Sequence, residues 1–159
     1  MAYDFTYLSL GAGVQSSALL LMSSKELFGV PKADIAIFSD TQSEPPWVYE
    51  HLEKLHELAT IPIITVTAGN LHDDTLSGIG AGHKNFITIP VYSANLEGES
   101  LPLRRQCTYE YKIQPIQKEI RRQLGYKPRM RVKENVQALL GISLDESLRM
   151  KPSRYPYIT

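Results

Sequence analysis

The chain has 159 residues, with 17 Lys+Arg balanced by 17 Asp+Glu and no formal net charge, a length that suits one domain with its own core and a balance that gives no bulk attraction for nucleic acid. Its one cysteine, Cys107, excludes an internal disulfide and a CxxC metal site and fits a reducing compartment. No apolar run approaches the roughly 18 residues of a membrane span, and the opening MAYDFTYLSL lacks the basic start of a secretion signal, so the chain reads as cytoplasmic with no membrane partner.

Residues 3–10 read as a strand and residues from Ser16 onward as a helix ending near Phe28 and Gly29, joined through Gly11, Ala12 and Gly13. Such a β-loop-α unit turns backbone N–H groups toward whatever sits above the strand's carboxyl end. KADIAIFSD reads as a second strand, apolar from Ile35 to Phe38, which places Asp40 at its carboxyl end. Glu44, Pro45 and Pro46 open a second helix that Trp47, Leu52, Leu55 and Leu58 would line on one side. IPIITVTAG, residues 61–69, is a third strand rich in β-branched residues. These units predict an α/β fold with a mostly parallel open sheet. The right-handed crossover rule brings Gly11 to Gly13, Asp40 and residues 67–70, Thr67 and Gly69 among them, to one sheet edge.

Beyond Asn70 the pattern loosens. A short helix near residues 71–77 precedes the glycines Gly78, Gly80 and Gly82, and a further strand is expected over residues 86–92. YEYKIQPIQKEIRRQLG reads as a helix with Ile113, Ile116, Ile120 and Leu124 at helical spacing, Lys112, Lys118, Arg121 and Arg122 as a basic side, and Pro115 marking its first turn. Val136, Leu139 and Leu140 predict a short amphipathic helix ending at Gly141, and Ser143 with Glu146 has capping-box spacing. Tyr155, Tyr157 and Ile158 close the chain as an extended aromatic stretch that needs something to pack on, so a homo-oligomer or partner contact is expected there.

GAGVQSS offers small residues for close phosphate approach and hydroxyls at Ser16 and Ser17. It lacks GxxxxGK[ST], and a tight structural turn explains the same residues. Cys107 near Arg104, Arg105 and Lys112 is either a thiol among cations or a small buried hydrophobe beside solvated bases. Asp145 and Arg149 fit a structural ion pair. His51 and His56 do not share a helix face, and His72 with Asp73 and Asp74 reads as a solvated loop or a weak metal candidate.

SLGAGVQSSALL, FSDTQSE and RRQCTYEYKIQPI together resemble the PP-loop group of adenine-nucleotide alpha hydrolases. The likeness is greatest to its phosphoadenylyl-sulfate reductase-like branch, which includes ATP sulfurylase small subunits and DNA-sulfur-modification proteins. It covers roughly residues 5–150. The group's loop reads approximately SGGxDS; Gly13 and Ser16 keep its identities, whereas Gln15 stands where the group has aspartate. The resemblance implies a three-layer α/β/α, Rossmann-like fold and a nucleotide site formed by Ser9, Gly11, Ala12, Gly13, Gln15, Ser16, Ser17, Asp40, Thr41, Thr67, Gly69 and Cys107. Ser16, Lys112 and Arg105 would carry catalysis.

The cofactor so implied is ATP or a related adenine nucleotide, with Mg²⁺ whose ligands Gln15 leaves unassigned, and cleavage between the alpha and beta phosphates for activation or sulfur transfer. The acceptor, a small molecule, nucleic acid or partner protein, stays unidentified. No ECGLH-like motif is present and one thiol does not hold an iron–sulfur cluster, so none is expected. GISLDESLR resembles a segment that recurs in the branch. Relatives continue beyond such a segment, so the chain reads as a single PP-loop-type domain that is either C-terminally truncated relative to them, a natural minimal form, or half of an assembly completed by another chain. The alternative is a non-catalytic nucleotide-sensing or protein-interaction module of phage or mobile-element type.

Overall fold

A computed structural model describes residues 3–77, 92–94, 100–102 and 107–159. The chain order is β1 (Phe5–Leu10), α1 (Val14–Ser24), β2 (Ile35–Asp40), α2 (Pro46–Leu58), β3 (Ile63–Thr67), α3 (Leu71–Ser77), β4 (Tyr92–Ala94), β5 (Ser100–Pro102), a π-helical turn (Thr108–Ile113), α4 (Gln114–Gln123) and β6 (Val136–Leu140). Four strands form one parallel sheet in the order β3-β2-β1-β6, while β4 and β5 pair antiparallel as a separate ribbon.

The sheet buries apolar side chains on both faces, as the near-continuous apolar run of β2 requires. Leu8, Leu10, Ala36 and Phe38 pack with Leu20 of α1 and Leu52 and Leu55 of α2. Tyr7, Ile35, Ile37 and Val136 pack on the opposite side with Ile116 and Ile120 of α4. The alternation within β1 and β2 thus divides one strand between two cores. The inner stripe of α2 is Val48, Leu52 and Leu55, continued by Ala59 just past its end. Trp47 and Leu58, expected on that stripe, are exposed because their spacing from Leu52 rotates them off it.

Two expectations, for residues 136–140 and for Ser143, are overturned, and the aromatic end has an intrachain setting. Residues 136–140 form a strand, not a helix: Val136 to Leu140 run in register with Phe5 to Ser9, and the open edge of β1 outweighs a local apolar pattern that fits either state. The aromatic end finds its packing within the chain. Ile158 is buried in the α4-side core, Tyr155 and Tyr157 pack against it, and residues 157–159 exchange backbone hydrogen bonds with Val136 and Ala138. Ser143 does not form the expected capping box: it precedes a 3₁₀ turn (Leu144–Arg149) without a side-chain cap, and its carbonyl accepts from the Glu146 N–H.

The remaining elements follow their chemistry. Pro115 lies in the first turn of α4, and the turn before it is π-helical. α1 ends at Ser24, ahead of a 3₁₀ turn (Leu27–Gly29). The strand expected over residues 86–92 and the glycines Gly78, Gly80 and Gly82 lie outside the described residues, except that Tyr92 begins β4.

Candidate functional site

Strand order dictates where a site can form. The chain steps from β1 outward to β2 and β3, then returns past α4 to place β6 on the free side of β1. Connections leaving β1 and β6 therefore diverge, and a crevice opens at their carboxyl ends, the topological switch point at which open α/β sheets bind ligands. A cleft of about 430 Å³ lies there, lined by Ser9, Gly11, Gly13, Gln15 and Ser16 on one side and Leu140, Gly141, Ile142 and Glu146 on the other.

The loop is built for backbone approach. Gly13 occupies the N-cap of α1 and provides no side-chain cap, so the first N–H groups of the helix are left to a ligand or solvent. Ala12 is held at φ 52, a left-handed conformation that costs a non-glycine residue of order 1 kcal/mol or more. Ser16 braces the turn: its Oγ accepts from the Gly11 N–H and its hydroxyl donates to the Gly13 carbonyl, both at 3.2 Å. On the opposite wall a Cβ at Gly141 would stand 2.6 Å from the Ser16 nitrogen, so glycine is required for β6 to close on the helix terminus.

Ser17 takes another direction. Its Oγ shares a 2.9 Å hydrogen bond with His51 Nε2, joining α1 to α2.

Asp40, Thr41, Thr67 and Gly69 reach the same sheet edge but do not line this cleft. Asp40 Oδ1 accepts from the Gln42 N–H at 2.7 Å and the Tyr49 hydroxyl at 2.9 Å. Burial, and then that carboxylate, push the Tyr49 phenol above its ordinary range. Thr41 is buried, donates to Glu44 at 3.1 Å and accepts the Leu71 N–H on its carbonyl. Lys112, presented by the π-helical turn, sits 3.5 Å from the same Glu44 carboxylate. The fully buried Tyr111 fastens that turn by accepting Ser39's hydroxyl on its carbonyl at 2.6 Å and donating its own to Asp74. Thr67 Oγ1 accepts from the Gly69 N–H at 3.1 Å. His72 and Asp73 direct their N–H groups to Asn70 Oδ1 at the start of α3. Cys107 is half-buried ahead of the π-helical turn. Arg104 and Arg105 lie outside the described residues.

The predicted residues thus separate: Ser9, Gly11, Gly13, Gln15 and Ser16 line the cleft of β1 and β6, whereas Asp40, Thr41, Thr67, Gly69 and Lys112 lie over β2 and β3, where Lys112 pairs with Glu44. Comparison with protein-family models, with curated proteins and with solved structures finds no match. Three cleft residues, Leu140, Gly141 and Ile142, are not legible as site residues in the sequence, because the 136–140 pattern suits a helix. Glu146 is legible there as a capping residue and, within GISLDESLR, as a residue that either stabilises the C-terminal helix pair or reaches the open side of the cleft. The signal that points to them is the GI pair immediately following VQALL, apolar at four of its five positions, the same strand-to-loop pattern as Leu10 and Gly11.

Proposed function

We propose that this cleft binds ATP or a related adenine nucleotide such as a sulfonucleotide, in a PP-loop-type domain of three-layer, adenine-nucleotide alpha hydrolase-like fold. The observation carrying the proposal is the uncapped N-terminus of α1, reached through Gly11 to Gly13, opening on the cleft where strand order reverses. Aligned N–H groups and the helix dipole favour phosphate oxygens there. The proposed chemistry is attack by an acceptor oxygen or sulfur on the alpha phosphorus. The bridging Pα–O bond breaks and pyrophosphate leaves with its electron pair, its charge offset by the loop N–H groups. The acceptor would come from a small molecule, nucleic acid or partner protein.

Mg²⁺ fits the donors on the cleft walls. Glu146, Gln15 and Ser16 offer hard oxygens of the kind that hold this ion together with substrate phosphates. When bound it would neutralise phosphate charge that Glu146 alone would repel. Catalytic roles for Lys112 and Arg105 belong to the proposal as well. Lys112 would first have to leave Glu44.

A second reading is binding without cleavage. Among the described residues lining the cleft none is Lys or Arg, so leaving-group charge has only N–H groups and a metal to meet it. This favours a nucleotide-sensing or interaction module.

Calorimetric titration with ATP, a non-hydrolysable alpha-beta analogue and phosphoadenylyl sulfate, with and without Mg²⁺, tests both readings beside Gly13→Asp. Gly13 has φ −87 and open space where a Cβ would stand, and aspartate is a good N-cap, so the variant should fold while its carboxylate repels phosphate. A tenfold or greater loss of affinity in the variant is expected. Absence of binding to the intact chain, or equal binding to both, defeats the nucleotide reading; Mg²⁺-dependent pyrophosphate release separates enzyme from module.

A further inference from the structure

A second cavity, of about 1010 Å³, lies on the α4 side of the sheet and shares Leu140 with the first cleft. Its walls come from β1, the π-helical turn, α4, β6 and the C-terminal segment, and they combine three kinds of chemistry. Tyr7, Tyr109 and Tyr155 supply aromatic surface, Lys151 and Arg154 supply exposed cations, and Glu110 supplies a carboxylate. Glu110 Oε2 is buried and has no hydrogen-bond partner among the described residues. A buried carboxylate oxygen without a donor is costly, and a side-chain rotation that turns the Glu110 carboxylate into the cavity would let an N–H group of a ligand satisfy it.

These features select among ligand classes. A lone phosphate or carboxylate would satisfy the cations and leave Glu110 facing like charge. An apolar ligand would leave both unused. An amine-bearing base supplies the N–H for the carboxylate, as cytosine N4 does for acidic side chains. Its ring finds tyrosine surface, and its phosphate finds Lys151 and Arg154. The phenols of Tyr7 and Tyr155 are neutral surfaces at physiological pH, and burial pushes their ionisation up to about 12.

We propose that the cavity is a binding site for a nucleoside monophosphate unit carrying an exocyclic amine, free or unpaired within a strand, held by Glu110 at the base and by Lys151 and Arg154 at the phosphate. The site is distinct from the cleft of β1 and β6 and does not depend on what that cleft binds.

Calorimetry with CMP and UMP is the direct test, because the two differ in presenting a donor or an acceptor at position 4 of the ring. CMP is expected to bind at least tenfold more tightly than UMP. Glu110→Gln, a near-isosteric change checked by circular dichroism, should abolish that preference, and Lys151→Ala combined with Arg154→Ala should weaken both ligands. Gly13→Asp should leave CMP binding intact, so failure of the nucleotide cleft and failure of this cavity are told apart. A cytidine-containing single strand binding more tightly than CMP would identify a strand as the source, and equal affinity would identify the free nucleotide; either upholds the site. No binding of CMP, no discrimination against UMP, or a preference untouched in Glu110→Gln overturns it.

Discussion

Gly141 illustrates how much a single missing side chain can decide. Its backbone lies against the opening turn of α1, with Ser16 and Gln15 backbone atoms between 2.6 and 2.8 Å from where a Cβ would stand. These neighbours are main chain and cannot rotate away. Gly141→Ala should therefore push β6 off the helix terminus, costing about 1–3 kcal/mol as overpacking does and distorting the cleft. Thermal unfolding should show a lowered midpoint, and nucleotide affinity should fall further than the loss of stability explains. Gly13 contrasts with it in having open space, so Gly13→Asp tests the helix terminus without steric disturbance, its carboxylate both repelling phosphate and occupying the N–H groups. The loop glycines are readable as a phosphate-approach motif, whereas Gly141 is not, because its requirement comes from a segment 125 positions away (141 minus 16).

At the scale of elements, the hand-off from α1 to β2 is fastened by one hydroxyl. Ser23 is fully buried, donates to the Pro31 carbonyl at 2.7 Å and accepts the Ala33 N–H at 2.9 Å. Ser23→Ala would strand a donor and an acceptor together where water cannot easily replace the hydroxyl. The expected cost is about 2–3 kcal/mol, measured as a shifted denaturant midpoint with an unchanged slope. Helices and strands up to Thr67 are legible because their periods and their Gly and Pro punctuation agree with the buried faces they present. β6 is not. Its residues are half-buried or exposed beyond Val136, so their pattern carries no strand alternation, and only the register with β1 makes them a strand.

Across the whole molecule, the α4-side core carries a pH dependence of its own. Tyr7 sits in the α4-side core with its phenol pushed up from 10.0 to about 12, chiefly by burial and then by the neighbouring Tyr157 and Tyr155. The folded phenol stays protonated after the unfolded one ionises. Its contribution is therefore complete below pH 10, the unfolded value, and is lost as pH rises from there through about 12. The loss should reach on the order of 2 kcal/mol. Denaturant unfolding between about pH 9 and 11.5 should show a steeper decline in the parent chain than in Tyr7→Phe, with the absorbance of ionised tyrosine rising as the core opens.

By itself the sequence determined that β1, β2 and β3 alternate with helices and that a small-residue loop ends the first strand. These follow from local periodicity, turn chemistry and the apolar content of each segment. The tertiary structure decided which strand joins β1 on its other side, where the aromatic end packs, and that Asp40 and Lys112 serve a network apart from the Gly11 to Ser16 cleft. The physical reason is that strand partnership and cleft formation depend on hydrogen-bond edges and close approaches between residues far apart in the chain. No local pattern records them.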